Sequence, residues 1–313
     1  MKRVIITGAA GFVGSNIVAA FLEAGWFVYA ADLEYKKADF SRRSTDSLQL
    51  VGSDCLDLPA LDAEALIHAA AVTATPAERG ETPEANLRAN IEPMLSVMEY
   101  ANRQGIGRSV YLSSAAALGF TPARSIDESR SPQPRSVYGL AKAIMENTIE
   151  TMRRDYRREF ICVRLGAIYG PCEFARATRP KLSMVARMII AALTRGEIIV
   201  DRPAERRQWT YAPDIGRALV ALVDADKLDH GLYNLCGDAR PSNLDVAARI
   251  AELLTGVALR IAEAEAPEPT AASFGWLDNS RLRRDIGFSD WTGMSAPTLE
   301  ATLQSIRLRM ADA

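Results

Sequence analysis

The sequence predicts an α/β fold in which a doubly wound parallel sheet carries a smaller C-terminal substrate lobe. First, an unbroken apolar run near the N-terminus stops at glycines, as a strand buried on both faces of a parallel sheet does. Second, strand-like and helix-like patterns alternate through the N-terminal half. Third, this alternation decays beyond Arg164, where a loop-like stretch follows at 170–180. We therefore expect ligands to bind at the carboxyl edge of the sheet, beneath the C-terminal lobe.

The first strand and the helix after it enclose a glycine-rich turn with the spacing of a dinucleotide cradle. Gly8 permits a tight turn, Gly11 lets the backbone approach a pyrophosphate, and Gly14 lets the helix pack closely on the strand. Phe12 and Val13 open that helix, whose N-terminus would face the phosphates. A glycine triplet alone also opens many helices that bind nothing, but this one directly follows a clear strand. The pattern predicts a Rossmann-type cofactor domain.

The second strand, at 26–32, ends in an acidic residue that bears on the choice of cofactor. Asp32 follows the glycines by about 20 residues, where a carboxylate accepts both hydrogen bonds of a ribose diol and repels a 2′-phosphate. NAD is therefore favoured over NADP. Nearby basic residues able to hold a phosphate keep NADP as the alternative: Lys36, Lys37, Arg42 and Arg43. A third strand at 48–52 would place Asp54 and Cys55 near the adenine.

The composition is that of an ordinary soluble globular protein and excludes several classes. The chain has 313 residues, of which 48% are hydrophobic and 24% charged, with a formal net charge of −2. No basic stripe suggests nucleic acid, and no apolar run is long enough to span a bilayer. Because the N-terminus leads directly into a strand instead of a signal peptide, we expect a cytoplasmic protein. With four widely spaced cysteines and two histidines, we expect neither disulfides nor a metal site.

The remaining elements follow from hydrophobic periodicity and turn residues. Strands are predicted at 2–7, 26–32, 48–52, 64–69, 109–113, 160–165 and 231–235. Helices are predicted at 12–24, 84–104, 136–157, 181–195, 213–225, 243–255 and 296–310, with a surface connection at 262–272. This order divides the chain into an NAD-binding domain at 1–166, to which 213–240 returns, and a substrate-binding lobe at 167–212 and 241–313.

A second set of residues has the spacing of an acid–base site. Tyr138 and Lys142 are four residues apart on one predicted helix, so the phenol and the ammonium share a face. A free tyrosine titrates near ~10, and the lysine charge and an oxidised nicotinamide ring would both favour its phenolate. Ser114 ends the fifth strand, where its hydroxyl can hydrogen-bond the substrate oxygen that exchanges a proton. Alone, each of these residues also fits a purely structural position. Together with the glycines and Asp32 they predict NAD-dependent catalysis.

With these motifs, the chain resembles the extended short-chain dehydrogenase/reductases of the NAD-dependent epimerase/dehydratase type over essentially its full length. The matching pieces are Asp32, Asp54, Asn90 and the segments 7–14, 68–71, 112–114, 138–142, 164–171, 207–214 and 233–235. The resemblance implies that Tyr138 is the acid/base, that Lys142 holds the nicotinamide ribose and lowers the pKa of the tyrosine, and that Ser114 binds the reacting oxygen.

The resemblance also implies a wider cofactor site and an oligomer. The further residues that it assigns to the cofactor site are Ala69, Ala70, Ala71, Asn90 and Ser113. It implies a homodimer that packs the helices at 84–104 and 136–157 into a four-helix bundle.

Several positions depart from the family pattern and bear on the reaction. Ala115 and Ala116 stand where relatives that eliminate water carry an Asp-Glu pair, so we expect that this chain does not dehydrate its substrate. In the substrate site, Ala167 replaces an asparagine that helps sugar-nucleotide enzymes to hold a pyrophosphate. Arg207 remains at the family's phosphate-binding position and is the strongest substrate-binding candidate. Other arginines of this lobe are expected on a solvated surface: Arg176, Arg179 and Arg202.

Two reactions can use the same residues. If a sugar carbinol gives its hydride to NAD and the ketone takes it back on the other face, the protein is a nucleotide-sugar epimerase, which is the leading hypothesis. If the ketone is released, it is a dehydrogenase or reductase of a free sugar or sugar acid. A non-catalytic NAD-binding sensor or scaffold is the third hypothesis, against which the presence of Ser114, Tyr138 and Lys142 argues.

Overall fold

A seven-stranded sheet forms the centre of the protein. The computed structural model describes residues 1–35, 46–119, 125–155, 159–262 and 275–311. The strands within these ranges are β1 (Arg3–Thr7), β2 (Phe27–Asp32), β3 (Leu48–Gly52), β4 (Ala65–His68), β5 (Arg108–Ser114), β6 (Ser125–Ile126), β7 (Glu159–Leu165), β8 (Ala167–Tyr169), β9 (Glu197–Val200), β10 (Trp209–Tyr211), β11 (Leu232–Leu235), β12 (Ala258–Ile261) and β13 (Trp276–Leu277). The central sheet has the order β11-β7-β5-β4-β1-β2-β3, and every neighbouring pair in it is parallel.

Helices cover both faces of this sheet. Those described are α1 (Phe12–Glu23), α2 (Pro76–Arg79), α3 (Pro83–Gln104), α4 (Val137–Asp155), α5 (Met184–Arg195), α6 (Ala212–Asp224), α7 (Asn243–Glu252), α8 (Ser280–Ile286) and α9 (Ala296–Ala311), with a 3₁₀ helix at Ala115–Leu118. Val4 and Ile6 of β1 pack in a cluster with α1 and α6, whereas Ile5 packs in a cluster with α3 and α4. Both faces are therefore buried, which explains why β1 is continuously apolar.

The strand order determines where a ligand can bind. The chain runs outward from β1 through β2 to β3, and then returns across the sheet to place β4 on the other side of β1. Loops that leave the carboxyl ends of β1 and β4 consequently diverge and leave a crevice, the usual ligand position in open α/β sheets.

The C-terminal part forms a second hydrophobic cluster outside the sheet. Its buried residues come from α5, α7 and α9, among them Val185, Val246 and Leu299, and from the short strands β8, β9 and β10. Three short parallel strand pairs accompany it: β8 with β10, β9 with β12, and β6 with β13. The seventh strand of the central sheet, β11, also comes from this half and pairs with β7.

These elements confirm the predicted fold class, and some boundaries differ for local reasons. The helix predicted from 181 begins at Met184, because the Ser183 hydroxyl caps it by accepting the amide of Ala186 at 3.1 Å. The short strand pairs outside the central sheet were not predicted. Of the predicted surface connection at 262–272, residues 263–272 lie outside the described ranges. Among the helices that the structure describes, none combines the length and the apolar character needed to cross a membrane.

Candidate active site

A cavity of about 860 Å³ opens at the carboxyl edge of the sheet. Its wall contains nearly all of the residues that the sequence predicted for cofactor and substrate. These are Gly8, Gly11, Phe12, Val13, Gly14, Asp32, Asp54, Cys55, Ala69, Ala70, Ala71, Ser113, Ser114, Tyr138, Lys142, Ala167 and Arg207. The exception is Asn90. The fold thus brings the glycine turn and the acid–base residues to one space.

The glycine turn is tight enough to exclude side chains. Gly8 has a φ of +67°, and a Cβ at this position would lie 2.5 Å from the backbone nitrogen of Ala70. A Cβ at Gly14 would lie 2.0 Å from the carbonyl oxygen of Gly8, so only glycine lets α1 begin this close to β1. The first helical residues, Phe12 and Val13, consequently line the cavity. A helix N-terminus exposed in this way fits a pyrophosphate.

The Asp32 carboxylate is fixed at the end of β2. Its Oδ2 accepts the amide of Ala10 at 2.9 Å, and its Oδ1 accepts the amide of Leu33 at 2.8 Å. Asp32 lines the cavity, where its carboxylate fits a ribose diol and disfavours a 2′-phosphate. The basic residues weighed for the NADP alternative lie outside the described ranges: Lys36, Lys37, Arg42 and Arg43.

Asn90 does not line the cavity but supports a loop that does. Its Oδ1 accepts the amide of Val72 at 2.9 Å, and its Nδ2 donates to the carbonyl of Val72 at 3.1 Å. The side chain is buried, so it holds the loop after β4 in which Ala69, Ala70 and Ala71 line the cavity. Cys55 also lines the cavity, and burial raises the pKa of its thiol to about 11, so the thiol is neutral at physiological pH.

Ser114, Tyr138 and Lys142 come together where β5 meets α4. The Ser114 side chain hydrogen-bonds to the Tyr138 hydroxyl, and its Oγ also accepts the amide of Ala116 at 3.2 Å. The Nζ atom of Lys142 lies over the Tyr138 ring, 5.6 Å from its centroid, and donates to the carbonyl of Leu112 at 2.8 Å. A substrate hydroxyl placed against Ser114 would therefore also meet the phenol.

The charges around Tyr138 differ from the sequence-based expectation. Burial raises the pKa of Tyr138, so the phenol keeps its proton at neutral pH. The hydrogen bond from Ser114 and the positive charge of Arg179 oppose this rise in pKa, whereas Lys142 had been expected to do so. The reason is geometric, since the ammonium lies over the ring and donates to the backbone. Burial also lowers the pKa of Lys142 itself, to about 8.

A buried ionic network supports this wall from the same face of α4, one helical turn beyond Lys142. The Ser113 hydroxyl donates to Oε1 of Glu146 at 2.6 Å. Arg164 on β7 donates to the same carboxylate through Nε at 2.9 Å and through Nη2 at 2.7 Å. These bonds connect β5, α4 and β7 directly behind the acid–base residues, and thereby fix their relative positions.

The two predicted substrate residues lie on a neighbouring strand pair. Ala167 of β8 pairs in register with Trp209 of β10. Arg207 lies two residues before Trp209 in the chain. The Arg207 guanidinium donates to Oε1 of Glu205 at 3.0 Å and lies 5.8 Å from the centroid of the Trp209 ring. Arg207 and Ala167 both line the cavity, where the guanidinium can bind an anion.

Two arginines expected on the solvated surface lie in the cavity instead. Arg176 and Arg179 both line it, and each contacts the glycine turn or the start of α1. Their loop folds back across the crevice because the carbonyl of Thr178 accepts the amides of Thr73 and Ala74, at 2.9 and 3.0 Å. No local sequence signal indicates this contact, since the partner loop is far away in the chain. Arg202 is exposed, as expected.

Comparison with known proteins agrees with the family resemblance inferred from the motifs. A family model described as the NAD dependent epimerase/dehydratase family matches residues 4–236. A dTDP-glucose 4,6-dehydratase of Streptomyces niveus is 24% identical over 303 residues, which cover 92% of this chain and 88% of that protein.

Solved structures with the same fold include epimerases and dehydratases. A UDP-N-acetylglucosamine 4-epimerase from Methanobrevibacter ruminantium M1, in complex with UDP-N-acetylmuramic acid, has a TM-score of 0.86 and 21% identity over 99% of both chains. An NAD-dependent NDP-hexosamine 5,6-dehydratase involved in tunicamycin biosynthesis has a TM-score of 0.80 and 22% identity over 100% of both chains. The resemblance inferred from the motifs is confirmed.

These comparisons correct one expectation. From Ala115 and Ala116, the sequence predicts that the chain does not dehydrate its substrate. This prediction is wrong, because dehydratases match nearly the whole chain and dehydration cannot be excluded. Elimination requires an acid and a base around the sugar, and two alanines after β5 do not determine what the rest of the cavity supplies.

Proposed function

This chain belongs to the NAD-dependent epimerase/dehydratase family, and from that premise we propose that it oxidises a hydroxyl of a nucleotide sugar and returns the hydride to the opposite face of the resulting ketone. The product would be an epimer, with no net change in the cofactor. NAD, the cofactor expected from Asp32, agrees with the family and with the NAD-dependent neighbour. The cradle around Gly8 and the anchored carboxylate of Asp32 fit this cofactor.

The observation that carries the proposal is the contact between Ser114 and Tyr138. Two hydroxyl groups that hydrogen-bond to each other can both reach one substrate oxygen, one as a fixed donor and the other as an acid/base. They share a cavity with the glycine turn, so a sugar carbinol at Ser114 would lie next to the reactive end of a bound dinucleotide. A purely structural serine and tyrosine would not need this position.

The protein's own groups have separate parts in the reaction. When bound, NAD accepts a hydride from the carbinol carbon and gives it back. Tyr138 acts here as the phenolate, which the positive nicotinamide ring of bound NAD would favour against the effect of burial. It takes the hydroxyl proton as the hydride leaves and returns it as the hydride comes back, while Ser114 hydrogen-bonds the same oxygen throughout. Lys142 would hold the nicotinamide ribose from its position in the cavity wall, where Nζ lies over the Tyr138 ring.

The rest of the proposal concerns the substrate side and the assembly. Arg207 would bind the diphosphate without help from Ala167, whose methyl group cannot donate a hydrogen bond. The residues at 167–212 and 241–313 would form the substrate lobe over an NAD-binding domain made of 1–166 and 213–240. We also propose a homodimer through α3 and α4, and a cytoplasmic location.

The test is a product analysis on a panel of substrates. Purified protein and NAD are incubated with UDP-, GDP- and dTDP-sugars and with free sugars and sugar acids. NADH is followed by absorbance and the products by chromatography. An epimer formed without net NADH supports the proposal. A released ketone with stoichiometric NADH would instead make the protein a dehydrogenase, and a product that has lost water would make it a dehydratase.

The role of Tyr138 is tested on the substrate found in this way. Replacing Tyr138 by Phe removes the acid/base, so we expect turnover to fall by about 10²–10⁴-fold. The matched control is Tyr29→Phe, on β2 and outside the cavity wall, which should retain activity. A Tyr138→Phe variant with full activity would overturn the proposed mechanism.

A further inference from the structure

The loop at 170–183 contains a short hairpin, residues 176–179, that is docked on the cofactor domain. The amide of Arg176 donates to the carbonyl of Arg179 at 3.0 Å, and the amide of Arg179 donates to the carbonyl of Arg176 at 2.9 Å. At its tip, the carbonyl of Thr178 accepts the amides of Thr73 and Ala74. The hairpin thus rests on the loop that follows β4.

Both arginine side chains of the hairpin reach the opposite side of the crevice. Arg176 donates through Nη2 to the carbonyl of Ala10, inside the glycine turn. The Arg179 guanidinium lies 5.0 Å from the centroid of the Phe12 ring, at the first residue of α1. The hairpin therefore bridges the loops after β1 and β4, across the place where the sheet topology predicts the ligand.

One of these guanidinium groups is held by a buried carboxylate. Glu173 is 1% exposed, and it accepts Nη2 of Arg179 at 2.6 Å. It also accepts the amide and the hydroxyl of Ser183, at 2.6 and 2.7 Å. The Nη1 atom of Arg179 is buried and has no hydrogen-bond partner among the described residues. Arg179 is thus fixed on one side and has donors left for a ligand.

We propose that the hairpin 176–179 is a clasp for the cofactor diphosphate. The glycine turn and the N-terminus of α1 offer uncharged donors from one side. Arg176 and Arg179 would supply positive charge and forked N–H groups from the other, with Glu173 as the positioning residue for Arg179. This assignment rests on the proposed function only in requiring NAD in the cavity, and it is independent of the reaction that follows.

The clasp has a consequence for cofactor exchange. A dinucleotide enclosed between the glycine turn and the hairpin leaves only after the hairpin separates from Thr73 and Ala74. A reaction that returns its hydride in every cycle works best with a cofactor that stays bound. The clasp is therefore a retention device as well as a binding site.

The test measures cofactor release and partial ligands instead of turnover. In Arg176→Gln and in Arg179→Gln, we expect NADH to dissociate about tenfold faster in stopped-flow fluorescence, and ADP-ribose to bind about tenfold more weakly, because a charge-assisted hydrogen bond is lost. Adenosine, which has no diphosphate, should bind within about twofold of wild type. The matched control is Arg202→Gln, an exposed arginine outside the cavity wall, which should change none of these values.

Two further variants separate the clasp from its neighbours. Arg179→Lys keeps the charge but loses the fork, so NADH release should lie between those of wild type and Arg179→Gln. Arg207→Gln, assigned to the substrate diphosphate, should leave NADH release unchanged. Melting temperatures near that of wild type exclude misfolding of each variant.

The outcomes distinguish this inference from the proposed function. If wild type binds NADH and both glutamine variants release it at the wild-type rate, the clasp is overturned while the proposed function stands. Equal weakening of adenosine and ADP-ribose would also overturn it, since the effect would not depend on the diphosphate. If the variants behave as expected but no nucleotide sugar is turned over, only the proposed function fails.

Discussion

The guanidinium of Arg164 and the carboxylate of Glu146 form an ion pair whose side chains are only 1% and 4% exposed. Two hydrogen bonds join them, and Ser113 donates a third to the same carboxylate. Glu146 lies one helical turn after Lys142 on α4, so the pair fixes that helix against β5 and β7. The geometry of the acid–base residues therefore depends on charges that never touch the substrate.

Removing one partner of this ion pair should lower the free energy of unfolding strongly, whereas removing both partners should lower it much less. Glu146→Leu leaves the Arg164 charge buried and unpaired, so we expect the free energy of unfolding to fall by about 3–5 kcal/mol. The double variant Arg164→Met/Glu146→Leu should recover most of that loss, because no uncompensated charge remains. Urea unfolding of the two variants and wild type measures both effects. Equal loss in the single and the double variant would contradict this account.

Ser114→Ala should shift the pH dependence of turnover. The Ser114 hydrogen bond lowers the pKa of Tyr138, so its loss raises that pKa. Oxidation of the substrate needs the phenolate, and the rise of kcat with pH should therefore move to higher pH, with a loss on the order of tenfold at neutral pH. Ser114→Thr, which keeps the hydroxyl, should restore the wild-type profile. A profile unchanged in the alanine variant would show that Ser114 does not influence the phenol.

Lys142→Met should stabilise the protein at neutral pH while it removes activity. Burial lowers the pKa of Lys142 from 10.5 to about 8, so between these values the unfolded chain binds a proton that the folded chain does not. Stability of wild type therefore rises with pH across this window, and the charged lysine opposes folding below it. We expect the methionine variant to gain on the order of 1 kcal/mol at neutral pH, a gain that shrinks as the pH rises through the window. Melting temperatures measured against pH test this. A melting temperature of the methionine variant below that of wild type at neutral pH would mean that the hydrogen bond of Lys142 to Leu112 stabilises the protein by more than the burial of its charge destabilises it.

Asp32→Asn should weaken the discrimination between NAD and NADP. An asparagine can still accept the amide of Ala10, so the glycine turn should persist, but the negative charge that repels a 2′-phosphate is lost. We expect the ratio of NADPH to NADH dissociation constants to fall by roughly tenfold, by analogy with the loss of a charged hydrogen bond. Fluorescence titration with both reduced cofactors gives the ratio. No change would assign the preference to other residues.

The proposed dimer can be tested through exposed leucines on its two helices. Leu95 on α3 and Leu140 on α4 are 40% and 41% exposed, on two helices that pack against each other, so both are available to contact a partner. We expect light scattering to show a dimer for wild type and a monomer for Leu95→Asp and Leu140→Asp. Leu308→Asp, on α9 and 41% exposed, is the matched control and should remain dimeric. A monomeric wild type would refute the dimer.

The central fold could be predicted because its signals are local. The apolar run of β1 and the glycines after it lie within one short segment. Each later strand of the central sheet is predicted by the pattern of apolar residues within the strand itself. Strands as short as β8 and β10 carry too little pattern, and they exist only because the chain brings Ala167 beside Trp209. Their pairing depends on tertiary packing that no local window contains.

The candidate site shows the same division between local and remote signals. The spacing of Tyr138 and Lys142 predicts a shared helix face, and both line the cavity. By contrast, Arg176 and Arg179 were expected at the surface, since nothing near them in the chain indicates that Thr178 docks on Thr73 and Ala74. The family resemblance pointed to Asn90, but the bonds of its side chain to Val72 could not be predicted from the sequence.

The strand β11 lies late in the chain, and its position affects both synthesis of the protein and the design of shorter variants. Leu232–Leu235 is synthesised long after β7, yet it is the strand that covers the outer edge of β7 in the central sheet. Until it has left the ribosome, the nascent sheet ends in an apolar strand with unpaired backbone groups, which other chains can join. A chain shortened to residues 1–166 would keep that open edge permanently. The glycine turn and the acid–base residues therefore cannot be separated from the C-terminal half without a cost in solubility.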